Sequence, residues 1–153
     1  METKNKILEQ TNEWKKMKKE REEKMEELKT KTKEAMEKLD SQLKTYGMWD
    51  HTWICEVAFY DDGDDTGYGD QKAFLYWDKE KGYEIKYFEA KHGGQWEPIE
   101  NDFDMKVEQV NLENINSHHL MAIAEALPNR IRQLSELYME EISNIETLIK
   151  NIE

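Results

Sequence analysis

Lys72-Ala73-Phe74-Leu75-Tyr76-Trp77-Asp78-Lys79-Glu80-Lys81-Gly82-Tyr83-Glu84-Ile85-Lys86-Tyr87-Phe88 is the stretch that decides the fold. Ala73, Leu75 and Trp77 alternate with Lys72, Phe74, Tyr76 and Asp78. In the same way Tyr83, Ile85 and Tyr87 alternate with Glu84, Lys86 and Phe88. A period of two with aromatic enrichment marks a strand, because successive side chains leave opposite faces of a sheet. Between the two runs, Lys79-Glu80-Lys81-Gly82 reads as a short hairpin turn with its glycine at positive φ. Upstream, Trp53, Cys55, Val57 and Phe59 alternate with Ile54, Glu56, Ala58 and Tyr60, which adds a strand. Downstream, His92-Gly93-Gly94 is a further turn, residues 95–99 are a fourth short strand and residues 105–110 offer a fifth. The expectation is an antiparallel meander of four to five strands over about 51–110, with one face covered by helix.

Both flanks read as helix. Residues 4–45 contain no Gly or Pro and are rich in Glu, Lys, Met, Leu and Gln, all good helix formers. Their apolar residues form a narrow stripe, with Trp14, Met25, Met36 and Met17, Leu28, Leu39 stepping by eleven, close to the period of a straight helix. At 1.5 Å per residue such a helix spans on the order of 60 Å, more than a small domain can cover. Part of it must project or pack on a second long helix, in cis or from another copy. Gly47 is a natural stop. After the strands, Asn116 or Ser117 can cap a short helix running to about Leu127. Pro128 is expected to interrupt it and to open a long C-terminal helix. The apolar stripe of that helix is Ile131, Leu134, Tyr138, Ile142, Ile145, Ile149 and Ile152. The fold class expected is α+β, with an N-terminal helical arm over 1–46 and a body over 47–153, whose helices occupy about 117–152.

Charge divides at the same place. The 153 residues carry 34 acidic and 22 basic side chains, a net charge of -12. Residues 1–46 hold 13 basic and 11 acidic residues, a balance of +2. Residues 47–153 hold 9 basic and 23 acidic, a balance of -14. An anionic body opposes direct contact with nucleic-acid phosphates and anionic membranes and favours a basic partner. A charged fraction of 37% lies well above the usual ~25%, so much of the surface is solvated. No apolar run approaches the ~18 residues of a membrane span, and no apolar signal region follows Met1. A single cysteine, Cys55, forms no internal disulfide, which suits a reducing, cytoplasmic compartment.

The most unusual segment is Asp61-Asp62-Gly63-Asp64-Asp65-Thr66-Gly67-Tyr68-Gly69-Asp70. Its five carboxylates are read in three ways. They solvate a hairpin loop and protect a sheet edge; they present Asp61, Asp62, Asp64, Asp65 and Asp70 to Arg or Lys of a partner; or Asp62, Asp64 and Asp70 hold a Ca²⁺ ion. As an EF-hand loop the segment fails, because Thr66 stands at the fifth position and Ala73 at the twelfth, where a bidentate Glu is needed. His118 and His119 are adjacent and point about 100° apart on a helix, so they cannot share a metal as an i,i+4 pair does. Cys55 reads as a small buried hydrophobe. Most of the five tryptophans are expected in the core, whereas Trp14 on the arm is either a packing residue or a binding anchor. No G-x-S-x-G, H-E-x-x-H, phosphate-binding glycine loop or CxxC occurs, so no enzyme and no cofactor is expected.

In general character the chain resembles the small acidic inhibitors that phages deploy against bacterial defence, the anti-CRISPR and anti-restriction proteins. The features that carry the resemblance are the acidic loop at 61–70, the aromatic hairpins at 53–60 and 73–77, and flanking helices without a cofactor motif. It rests on character and not on aligned residues, so no functional residue is carried over. It implies a non-catalytic protein of the host cytoplasm that occupies the basic channel of a nucleic-acid-binding or nuclease effector, with carboxylates where phosphates would sit. Two other functions follow from the residues themselves. One is an oligomeric assembly protein, such as a homodimer, held by the long helices. The other is a Ca²⁺-binding module.

Overall fold

The computed structural model describes residues 2–61, 63, 69–91, 94–101 and 104–153. Helix α1 (Glu2–Tyr46) leads into strands β1 (His51–Tyr60), β2 (Gln71–Asp78) and β3 (Gly82–Ala90). Four short strands follow: β4 (Trp96–Pro98), β5 (Glu100–Asn101), β6 (Asp104–Met105) and β7 (Val107–Gln109). Helix α2 (Ser117–Ile152) closes the chain. The class is α+β, as the sequence predicts.

Helix α1 runs 45 residues because nothing within it breaks the hydrogen-bond ladder. Gly47 ends it at φ 67°, with its N–H donating to the Leu43 carbonyl at 3.0 Å. A left-handed residue is what this stop requires, and only glycine adopts it without penalty.

The sheet is antiparallel throughout, in the order β1-β2-β3, and β4 and β7 share the far edge of β3. Strand β4 pairs with Phe88, Glu89 and Ala90, and β7 pairs with Glu84, Ile85 and Lys86. The β2–β3 turn forms as expected. The Asp78 carboxylate accepts from the N–H groups of Glu80 and Lys81 at 2.9 Å each, and Gly82 takes φ 80°. These two hydrogen bonds hold the Asp78 carboxyl below the usual carboxylate range.

Strand β1 departs from a strict period of two. Its register on β2 shifts between Trp53 and Cys55 and again between Glu56 and Ala58. Each shift inserts an extra residue, so Ile54 and Cys55 both turn inward, and Val57 lies buried beside the half-buried Ala58. Trp53, Glu56 and Phe59 are left on the other face, three residues apart. The alternation read from sequence had grouped Trp53 and Phe59 with the buried Cys55 and Val57. Two bulges undo that grouping.

The core lies between one face of the sheet and the two helices. Ile54, Val57, Ala73, Leu75, Trp77, Ile85 and Tyr87 pack with Met36, Leu39 and Leu43 of α1 and Ile123, Leu127 and Leu134 of α2. Side-chain hydrogen bonds fix the layers. The Trp77 indole donates to Asp40 Oδ1 at 2.8 Å, Tyr83 Oη donates to the Met36 carbonyl at 2.6 Å, and Arg130 Nε donates to the Ile54 carbonyl at 2.9 Å. Gln42 of α1 reaches Ser135 and the Ile131 carbonyl of α2.

Helix α2 corrects the expected break at Pro128. It is one continuous helix of 36 residues with Pro128 inside it. The ring removes one backbone donor, but Pro128 is exposed. On either side of it Ile123, Leu127 and Leu134 bury against the same core. Packing of that stripe outweighs the local cost of the proline, which is about 3 kcal/mol in an isolated helix. At the start, Asn116 Oδ1 accepts from the N–H of His118 at 2.8 Å and serves as the expected cap.

Candidate functional site

The sheet has a second face, which the two helices do not cover. It is paved with aromatic rings. Phe74 packs edge-on against Phe88 at 5.4 Å between centroids, with Trp53 and Tyr76 beside them at 6.2 Å and 6.5 Å. His51 stacks on Tyr76 at 5.1 Å, and Phe59 meets Trp96 at 6.5 Å. The register explains the array. Trp53 lies opposite Tyr76, Glu56 opposite Phe74, and Lys72 opposite Phe88.

Cations lie over these rings. Lys72 Nζ is 4.5 Å from the Trp96 centroid, Lys86 Nζ is 4.7 Å from Tyr76, and the Arg130 guanidinium is 5.0 Å from Trp53. Each sits within the range at which a ring face attracts a cation. Lys72 also pairs with Glu56 at 3.5 Å, and Lys86 donates to His51 Nε2 at 3.2 Å. Trp53, Phe59 and Trp96 stand at the exposed rim, with 43%, 51% and 37% of their surfaces accessible. Residues 47–110, which build the sheet, hold 16 acidic and 6 basic side chains, a balance of -10. The site is therefore an aromatic face over which the chain's own Lys72, Lys86 and Arg130 lie, set in an anionic body.

Around it, the residues singled out from sequence fall as follows. Asp61 is exposed, and its carboxylate accepts from the Gly63 N–H at 2.7 Å. Asp70 is buried, with 8% of its surface accessible. Asp62, Asp64 and Asp65 lie outside the described residues, so the ligand set Asp62, Asp64 and Asp70 is described only at Asp70. Among the described residues no three His, Cys, Asp or Glu side chains converge on a position for a metal ion. Trp14 is 65% exposed on α1, far along the chain from the buried positions of that helix.

Of the five tryptophans, only Trp77 is fully buried. The expectation that most are core is corrected, because the bulges turn Trp53 outward and Trp96 sits on a short outer strand. The signal that would have found the face was present in Phe74, Tyr76 and Phe88, which occupy the alternate positions beside Lys72 and Lys86. Aromatic residues on both sides of a strand mean that both sides have work for apolar surface, whereas a face meant only for water alternates with polar residues.

A pocket of about 410 Å³ with mixed polar and apolar walls lies at the start of α2, lined by Tyr60, Tyr87, Glu108, Asn116 and His119 together with Ile85, Val110 and Ile115. Tyr60 Oη lies 3.0 Å from His119 Nε2, and Tyr87 Oη donates to Glu108 Oε2 at 3.0 Å. Burial, together with the Glu108 carboxylate, pushes the Tyr87 hydroxyl up, and burial holds the His119 imidazole below its ordinary value. These shifts keep Tyr87 a neutral donor and His119 a neutral ring at neutral pH. Cys55 is buried, and that burial raises its thiol to about 11, so it carries almost no thiolate at neutral pH.

No helix among the described residues is long and apolar enough to cross a membrane. Comparison with protein families, curated proteins and solved structures finds no match.

Proposed function

We propose that the protein is a non-catalytic interaction module whose open sheet face receives the Lys and Arg side chains of a basic protein surface. The observation that carries this reading is the set of aromatic rings with cations already above them: Trp96 under Lys72, Tyr76 under Lys86, Trp53 under Arg130. Rings so placed attract cations, and Trp, Tyr and Arg are the residue types that dominate binding energy at protein interfaces. The balance of -10 over residues 47–110 steers a basic partner toward that face and turns nucleic acid away.

Basic surfaces of this kind are characteristic of proteins that handle nucleic acid. The partner class that fits is therefore a nucleic-acid-binding or nuclease effector, inhibited because its basic channel is filled. Support for this finer reading is the charge and the general likeness to phage anti-defence inhibitors. The test compares wild-type protein with a Trp53→Ala/Phe59→Ala/Trp96→Ala variant as bait against a host lysate treated with nuclease. The expected result is a set of nucleic-acid-binding proteins that elute with salt and are lost from the variant. Retention that ignores both salt and the three substitutions would sink the proposal. These three side chains are exposed at the rim, so the variant is expected to keep its circular dichroism spectrum.

A further inference from the structure

The two helices pack together only along part of their lengths. Residues 2–24 of α1 are exposed without interruption, and so are residues 135–152 of α2. These arms leave the body at opposite ends. Gln42 meets Ile131 and Ser135, and Tyr46 packs near Tyr138 at 6.2 Å, so the chains of α1 and α2 run in the same direction where they touch. The α1 arm thus extends past the start of α2, and the α2 arm extends past the end of α1. At 1.5 Å per residue they are about 34 Å and 27 Å long.

Each arm continues the apolar stripe that is buried in the body. On α1 the stripe passes from Leu43, Leu39 and Met36 through Leu28 and Met25 to the exposed Met17, Trp14, Leu8 and Ile7. On α2 it passes from Leu127 and Leu134 to the exposed Tyr138, Ile142, Ile145, Ile149 and Ile152. Apolar stripes on surface helices are normally covered, and isolated helices of this length are marginal in water.

Their charges are complementary. Residues 14–19 hold Lys15, Lys16, Lys18 and Lys19 and no carboxylate. Residues 133–149 hold Glu136, Glu140, Glu141 and Glu146 and no basic residue. Among the described residues none of these four lysines makes an ion pair, and of the four glutamates only Glu136 does, with Arg132.

We infer that the α1 arm of one copy docks on the α2 arm of a second copy of this chain, stripe against stripe and lysines against glutamates. Turning the second copy by a two-fold axis brings each α1 arm beside the other copy's α2 arm, antiparallel to it. Both contacts form at once, and the assembly closes. This surface is separate from the open sheet face, so either proposal stands or falls without the other.

The test is sedimentation equilibrium from about 1 to 100 µM with full-length chains. Wild-type protein is expected to be dimeric in this range, and its helical circular dichroism is expected to rise with concentration. A Lys15→Glu/Lys16→Glu/Lys18→Glu/Lys19→Glu variant and a Glu140→Lys/Glu141→Lys/Glu146→Lys variant are each expected to dissociate at least tenfold more readily. An equal mixture of the two is expected to re-form a dimer, because both arm pairs of the mixed dimer then carry opposite charges, whereas each variant alone sets like charges against each other. A wild-type monomer throughout the range would overturn the inference. So would self-association that neither variant weakens, or variants that do not recover on mixing. The substituted positions are exposed on the arms, so each variant's sheet core is checked by its near-ultraviolet spectrum.

Discussion

Trp77 is fully buried near the C-terminal end of β2, yet its indole N–H is satisfied by Asp40 from the opposite layer at 2.8 Å. A buried donor without a partner costs about 1–3 kcal/mol. Asp40→Ala is therefore expected to lower stability by about that much in urea unfolding. Asp40→Asn, which keeps an acceptor oxygen, is expected to lose less than half of it. Part of either loss comes from the exposed Lys44–Asp40 pair, which contributes little. His119 gives a pH dependence with a definite sign. Burial depresses its folded-state pKa, so below pH about 6.5 the unfolded chain binds more protons than the folded one. Stability is expected to fall as pH drops from about 6.5 towards the depressed value and to be flat above it. A His119→Gln variant, followed by urea unfolding between pH 5 and 8, is expected to show a shallower slope. Neighbouring Glu108 opposes the shift and His118 adds to it. At this scale the sequence already showed Cys55 as a buried hydrophobe, and the structure places it in the core. The hydrogen bond of Trp77 was not legible, because Asp40 lies 37 residues away and only the packing of α1 on the sheet brings it there.

Among the elements, α2 shows how tertiary packing overrides a local signal. Pro128 marked a break, but the apolar stripe on both sides of it faces one core, and a bend would pull Leu127 or Leu134 out of that core. Because the ring is exposed and only withholds a donor, Pro128→Ala is expected to stabilise the protein by up to about 3 kcal/mol, read as a rise in thermal midpoint. A fall in midpoint would mean that the proline fixes a geometry the helix needs. The β2–β3 hairpin was legible from the alternation and from Gly82, which point the same way, whereas the Asp78 carboxylate that accepts from Glu80 and Lys81 was not read from the sequence. Strand β1 was legible as a strand but not in its facing. A bulge changes which side chain points inward without changing composition, and a single sequence carries no mark of it. Helix α1 was legible in extent from the lack of Gly and Pro. How far it stays covered depends on where the sheet ends, which the stripe alone does not encode.

For the whole molecule, the split of charge at Tyr46-Gly47 corresponds to a division of labour in space. The near-neutral helix α1 supplies an arm, and the anionic sheet supplies an aromatic face over which Lys72, Lys86 and Arg130 lie. The charge of that body was legible from counting, and Phe74, Tyr76 and Phe88 carried the signal of the face; its rim was not legible, because the outward turn of Trp53 and Phe59 depends on the β1 bulges. Binding through such a face is expected to weaken steeply between 50 and 300 mM salt, since the Debye length falls below about 10 Å over that range. A binding isotherm that ignores salt would point to apolar contact alone. The central claim, that basic partners meet the open sheet face, is tested most directly by the five indole N–H resonances in a proton–nitrogen correlation spectrum, each assigned by its Trp→Phe variant. Titration with an arginine-rich basic protein is expected to shift the Trp53 and Trp96 signals first and to leave the buried Trp77 and the arm's Trp14 unmoved. Shifts that begin at Trp14, or that spread equally over all five, would contradict it.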